Sequence, residues 1–167
     1  MEANGREIVT MVQLTGNDKA EQKLLDDIAV HGWHCIHILA DGARVGYSFT
    51  VGLFQSYGHP ELIVFGLPRQ VAHEVLVICA NAVRSGSPID FTRPTEALLE
   101  SASCDFAEVP ASAFRESVGF ALWYYEKKPF PLYQIVWPSR DGLFPWHPEA
   151  SESFREAQPV IGIPATL

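Results

Sequence analysis

Apolar and polar residues alternate along 33–67, WHCIHILADGARVGYSFTVGLFQSYGHPELIVFGL, and this two-residue period predicts a β-hairpin followed by a buried strand. Asp41-Gly42 separates the first two runs, and Asp-Gly suits the positive φ angles of a type I′ turn. With those two residues as the loop, Ile38 opposes Val45, His37 opposes Gly46, Ile36 opposes Tyr47, Cys35 opposes Ser48 and His34 opposes Phe49. Alternation then gives one apolar face, Ile36, Ile38, Val45, Tyr47, Phe49 and Val51. The other face, Trp33, Cys35, His37, Leu39, Arg44, Gly46, Ser48 and Thr50, is small and polar. A glycine opposite His37 leaves space above the sheet, with Cys35, Ser48 and Thr50 around it as the floor of a small pocket. The alternative is a helix packed there on small residues.

The remaining chain supplies cover. Residues 1–16 read as an extended lead-in with an edge strand through Ile8–Leu14. Asp18 followed by Glu21 has capping-box spacing, so a helix runs from there to about His31, with Gly32 as its C-cap. Residues 52–60 read as a loop. Glu61–Phe65 is a short apolar run between turn signals and reads as a central strand, and Pro68 opens a helix through Val83. Residues 87–103 read as polar and irregular. Cys104–Val109 is a further strand, Ala111–Lys127 a second amphipathic helix, and Leu132–Trp137 a last strand. The Pro-rich end wraps the surface. The fold class expected is a single α+β domain over 1–167, with an antiparallel or mixed sheet built on the hairpin and three to four flanking helices.

Length and composition agree with one soluble globular domain: 167 residues, 47% hydrophobic. The formal charge of −8 argues against nucleic-acid binding, which needs clustered Lys and Arg, and leaves room for a cationic partner. Three widely spaced cysteines form neither a disulfide framework nor a CxxC pair. The N-terminus lacks the pattern of a secretory signal and no run approaches membrane-span length, so the expected location is the cytoplasm.

Familiar motifs fail. No glycine-rich dinucleotide or phosphate loop is present. His73-Glu74 begins like HExxH, but Val77 stands where the second histidine belongs. His34 and His37 fall on opposite faces of a strand, whereas Cys35 and His37 share one; no metal site follows from these two, since His59, Glu61 or Cys104 would have to join them: a metal site needs three or four convergent ligands and the sequence guarantees two. His59 and Glu61 flank Pro60 at the start of the central strand, and burial there would raise the Glu61 pKa, suiting it to proton transfer beside His59. The alternative is a loop histidine and a carboxylate bound by backbone N–H groups. Two tryptophans and a Phe flank Asp141-Gly142 in 134–146, QIVWPSRDGLFPW, either lining a ligand pocket or clasping the C-terminal wrap to the core.

The order GWH, YSFTVGL, HPELIVFGL, a helix, then QIVWPSRDGLFPW resembles the bacterial family catalogued as domain of unknown function 4262, across roughly residues 20 to 147. The resemblance implies that Tyr47, Thr50, Gly52, His59, Pro60, Glu61, Gln134, Trp137, Pro138, Gly142, Pro145 and Trp146 stand at the family's patterned places. It also implies an acidic residue after Trp-Pro, where this chain has Ser139; were that acid catalytic, Asp141 would have to substitute for it. The family carries no activity to transfer.

The function expected is binding of a small molecule or peptide in a pocket beside the sheet, with acid/base or hydrolytic chemistry. The catalytic candidates are His59 and Glu61. The ligand-binding candidates are Cys35, His37, Thr50, Gln134, Trp137, Asp141 and Trp146, the last as a lid. The rival is an acidic interaction protein that masks a basic partner, which would need Glu96, Glu100, Asp105, Glu108 and Glu116 on one patch. Cofactor and oligomeric state stay open.

Overall fold

The computed structural model describes residues 12–165. The edge strand expected within Ile8–Leu14 lies largely outside them, and residues 12–14 form no strand. Helix α1 (Lys19–His31) starts and stops as its caps dictate: Asp18 accepts from the Glu21 backbone at 2.8 Å, and Gly32 adopts the left-handed conformation. The Glu21 carboxylate reaches back to the Asn17 N–H at 2.7 Å, one residue further than in the reciprocal box.

Strands β1 (His34–Ile38) and β2 (Tyr47–Val51) form the hairpin, but the register differs from the expected one by two residues. Ile38 pairs with Tyr47, His37 with Ser48, Ile36 with Phe49, Cys35 with Thr50 and His34 with Val51. The turn is centred on Gly42-Ala43, not Asp41-Gly42. Asp41 stays outside as a bracket: its carboxylate accepts from the Ala43 and Arg44 N–H groups at 2.8 and 2.9 Å, and its backbone bridges Arg44. The Asx-type turn displaces the loop by one residue. A shift of two preserves face parity, so both faces keep the expected residues. Gly46 does not stand opposite His37, since Ser48 takes that place, and a Cβ on Gly46 would meet the backbone of Ile38 and Ala40 at 3.2 Å; Gly46 and His37 nevertheless line one cleft.

After β2 the expected loop contains a short helix, α2 (Leu53–Tyr57), before β3 (Glu61–Phe65) and α3 (Arg69–Arg84). The segment expected to be irregular holds β4 (Thr95–Leu99), paired to β5 (Ala102–Glu108). The expected helix over 111–127 is broken into a 3-10 turn, α4 (Phe114–Ser117) and α5 (Gly119–Tyr124), because Val118 leaves helical geometry before Gly119 and the Ser117 carbonyl accepts instead from Tyr47 Oη at 2.8 Å. Strand β6 (Leu132–Val136), α6 (Glu152–Ala157) and β7 (Ile163–Pro164) complete an α+β fold with more short helices than expected.

The strand order is β1-β2-β3-β6-β5-β4, with β7 added to β5. Among the described residues only the β3–β6 pair is parallel, so the sheet is mixed. Helices cover both faces. Phe49, Val51 and Ile63 pack with Leu24 of α1 and with Ala121 and Tyr124 of α5. Leu62, Val64 and Ile135 pack with Val75, Leu76 and Cys79 of α3.

Two glutamines fasten the C-terminal segment. Gln134 donates to the Pro159 carbonyl at 2.7 Å and accepts from Ile161 N at 2.8 Å; Gln158 brackets the Trp137 backbone, accepting from its N–H and donating to its carbonyl. Gly162 admits this path, since a Cβ there would sit 2.7–2.9 Å from Ala107. Replacing Gln134 by Leu keeps the volume but strands buried polar groups of the tail. The expected loss is about 2–3 kcal/mol in urea unfolding, with faster protease cleavage after α6. Unchanged stability would mean the tail is not held by this side chain.

Candidate functional site

Glu61 is fully buried and its carboxyl is saturated. Oε1 accepts from Thr50 Oγ1 at 2.9 Å and Leu53 N at 3.0 Å; Oε2 accepts from Gly52 N at 2.9 Å, Phe54 N at 3.4 Å and Tyr125 Oη at 2.6 Å. Three of these donors are the orphan N–H groups at the start of α2. Gly52 makes the approach possible with φ 108, a value hard for any side chain, and a Cβ there would lie 3.0 Å from Gly32 O and Ile28. Thr50 Oγ1 in turn accepts from Leu62 N at 2.9 Å. Burial raises the Glu61 carboxyl to about 7, against the downward pull of Tyr125, Thr50, Gly52 and Phe54; the Tyr125 hydroxyl is raised by burial and by Glu61. This is a carboxyl that organises backbone, with no oxygen turned to a cleft.

The other expected residues disperse. His59 is buried, with Nδ1 2.7 Å from the Pro60 carbonyl and Nε2 without a partner among the described residues; burial lowers its pKa, so the ring is neutral. Its edge packs on Phe91. Gln134 lies on the opposite sheet face from Thr50 and serves the tail. Trp137 lies at the far end of β3, donating its indole N–H to Phe65 O at 2.8 Å and packing on Phe154. Asp141 is exposed, and Trp146 stacks on Phe144 at 5.0 Å. The aromatic segment thus clasps the C-terminal wrap. The acids do not share a patch either: Asp105 is buried, and Glu108 and Glu116 line different clefts.

Cys35 and His37 do come together, and α3 brings a third side chain to them. The Cys35 Sγ, an imidazole nitrogen of His37 and one of His73 all lie within 4.8 Å of one another. His37 Nδ1 is 2.6 Å from Ser48 Oγ, and its Nε2 is 3.5 Å from Cys35 Sγ. The His73 ring stacks near Trp33 and faces His37 with centroids 5.7 Å apart. Burial pushes the Cys35 thiol up to about 12, partly offset by Arg69, and desolvation followed by the charges of Arg69, His73 and His34 lowers His37. The cluster stands between two clefts. One, of about 430 Å³, is lined by His37, Ser48, Leu67 and Arg69; the other, of about 410 Å³, by Trp33, Cys35, His73 and Asn81. A larger cleft of about 610 Å³ beside Tyr47 and Phe65 holds neither imidazole nor thiol.

The HExxH test does not bring out His73, because Val77 stands at the second histidine's place. The usable signal was helical spacing: Arg69, His73 and Val77 flank the buried stripe Ala72, Val75, Leu76 and Cys79 and so border the neighbouring strand. Tyr125 was placed on the apolar side of its helix, but its hydroxyl's target was not.

Fold and site together define an α+β protein with helices on both sides of a mixed sheet and a thiol–imidazole cluster at the edge strand. The chain belongs to the family described as Domain of unknown function (DUF4262), whose model matches residues 27–151. No curated protein and no solved structure matches the chain. Among the described residues, no helix is long and apolar enough to cross a membrane.

A pH test isolates Glu61. Its folded-state pKa of about 7 exceeds the ordinary 4.5, so its contribution is complete below 4.5 and declines as pH rises through 7. Glu61→Gln does not titrate. The variant is therefore expected to gain on the wild type by about 3 kcal/mol between pH 4.5 and 8, measured by urea unfolding across that range. A constant difference would show that folding does not raise the pKa of this carboxyl.

Proposed function

We propose that this protein binds a small molecule or a short peptide segment in the groove between the β1–β2 hairpin and α3, with Cys35, His37 and His73 at its centre. The observation that carries this reading is that two clefts, each within the usual size of ligand sites, flank the one place among the described residues where a thiol and two imidazoles converge. Trp33 offers a flat apolar surface, Arg69 a cation for an anionic group, and Ser48 orients His37. Imidazoles beside a bound ligand suit proton transfer or hydrolysis. Glu61 and Thr50 contribute indirectly, by fixing the end of β2 that pairs with the start of β1, and His59 packs the neighbouring core.

The proposal includes a bacterial origin and a cytoplasmic location, and the absence of a nucleic-acid partner, for which the charge of −8 is the support. The rival, an acidic surface that masks a basic partner, has less support, because the acids it needs are buried or dispersed.

A fragment screen followed by amide NMR tests the groove. Shifts are expected at the Trp33 indole, residues 35–37, Ser48 and 67–73, and His73→Ala, an exposed substitution, is expected to weaken a groove-bound fragment at least tenfold. Hits confined to the Tyr47–Phe65 cleft, or unmoved by His73→Ala, would discard this site.

A further inference from the structure

We propose that Cys35 Sγ, His37 Nε2 and an imidazole nitrogen of His73 form a binding site for a divalent transition metal of the zinc class, with a fourth position left to a ligand from the groove. The inference goes beyond the organic ligand proposed above, because it concerns the metal alone and holds or falls without that ligand.

Tetrahedral zinc with imidazole and thiolate donors needs neighbouring ligand atoms about 3.3–3.8 Å apart. The Cys35–His37 pair already stands at 3.5 Å, and the third donor lies within 4.8 Å, so metal binding requires the exposed His73 ring to move toward the pair. Two of the donors are alternate residues on one face of a strand, so their relative placement is fixed by backbone geometry. The third belongs to a sixteen-residue helix packed on that face. Ser48 supplies the supporting contact that metal-bound histidines commonly have: with Nδ1 engaged at 2.6 Å, Nε2 is the nitrogen presented to Cys35. One thiolate and two imidazoles select zinc and its neighbours over magnesium or calcium.

The charges indicate the fourth ligand. A divalent ion with one thiolate leaves the site with net positive charge, and Arg69 lines the same cleft as His37. The position therefore suits an oxygen anion, either hydroxide from water or a carboxylate or phosphate oxygen of a bound molecule. A three-residue set with an open position is the arrangement that catalytic zinc sites use.

The test is titration of the reduced full chain with Co²⁺ alone, followed by displacement with Zn²⁺. One equivalent is expected, with a thiolate-to-cobalt charge-transfer band and visible bands of tetrahedral intensity. Cys35→Ser should abolish the charge-transfer band. His73→Ala and His37→Ala should each weaken Zn²⁺ at least tenfold, and Ser48→Ala, which keeps all three ligands, about tenfold. Thermal melting without metal checks folding, and His73→Ala decides the matter if Cys35→Ser fails to fold. Absence of the thiolate band, its persistence in a folded Cys35→Ser protein, or unchanged affinity in His73→Ala would overturn the assignment.

Discussion

A buried carboxyl can be tolerated in a small protein only where donors surround it, and Glu61 is surrounded by five. They arrive from three places: the end of β2, the first turn of α2, and Tyr125 just past α5. Each element is positioned by the need to satisfy one group. The short helix α2 is too brief to be stable on its own propensity and exists here as an appendage of that carboxyl. Through Gly52 the same knot sets where β2 stops, and through Tyr125 it draws the α4–α5 segment onto the sheet. The core on that face, with Phe49, Tyr125 and Phe130 in contact, forms around a polar centre.

Elements with strong local signals were legible from sequence. Helix α1 carried both caps, β3 was bounded by turn residues, and α3 had a clean apolar stripe. What escaped were elements whose cause is distant. Nothing local in Leu53–Tyr57 announces a helix, because its cap is a side chain several residues later. Thr95–Leu99 shows no alternation of polar and apolar residues to suggest a strand and owes its form to pairing with β5. The apolar period over 111–127 held for burial, yet it could not show that Tyr47 would claim the Ser117 carbonyl and break the helix.

The site was half legible for a related reason. Sequence alternation ensures that Cys35 and His37 share a face, and that inference survives a register error of two. It says nothing of which helix residue lies above them. His73 reaches the pair only because α3 runs across β1 and β2, a consequence of how the chain leaves β3. Gln134 and Trp137, polar and large at a strand and its end, are fastened to the C-terminal segment instead. Polar side chains in a sheet core attract functional readings, but their hydrogen bonds must be accounted for before any is left over for a ligand.

The two-residue difference in the hairpin also changes the nature of the site. With Asp41-Gly42 as the loop, His37 would face glycine across the ladder and its ring would border an empty space. The Asp41 carboxylate instead closes the turn around Gly42-Ala43, and each residue of β1 meets a partner two positions further along. His37 then meets a hydroxyl, and a ring that would have been free to rotate is held by one nitrogen with the other directed at Cys35. A register shifted by one would have sent Cys35 and His37 away from α3 altogether. A shift by two kept them facing the helix and set a hydroxyl opposite His37. The chemistry of the groove thus depends on an exposed aspartate that touches none of its residues.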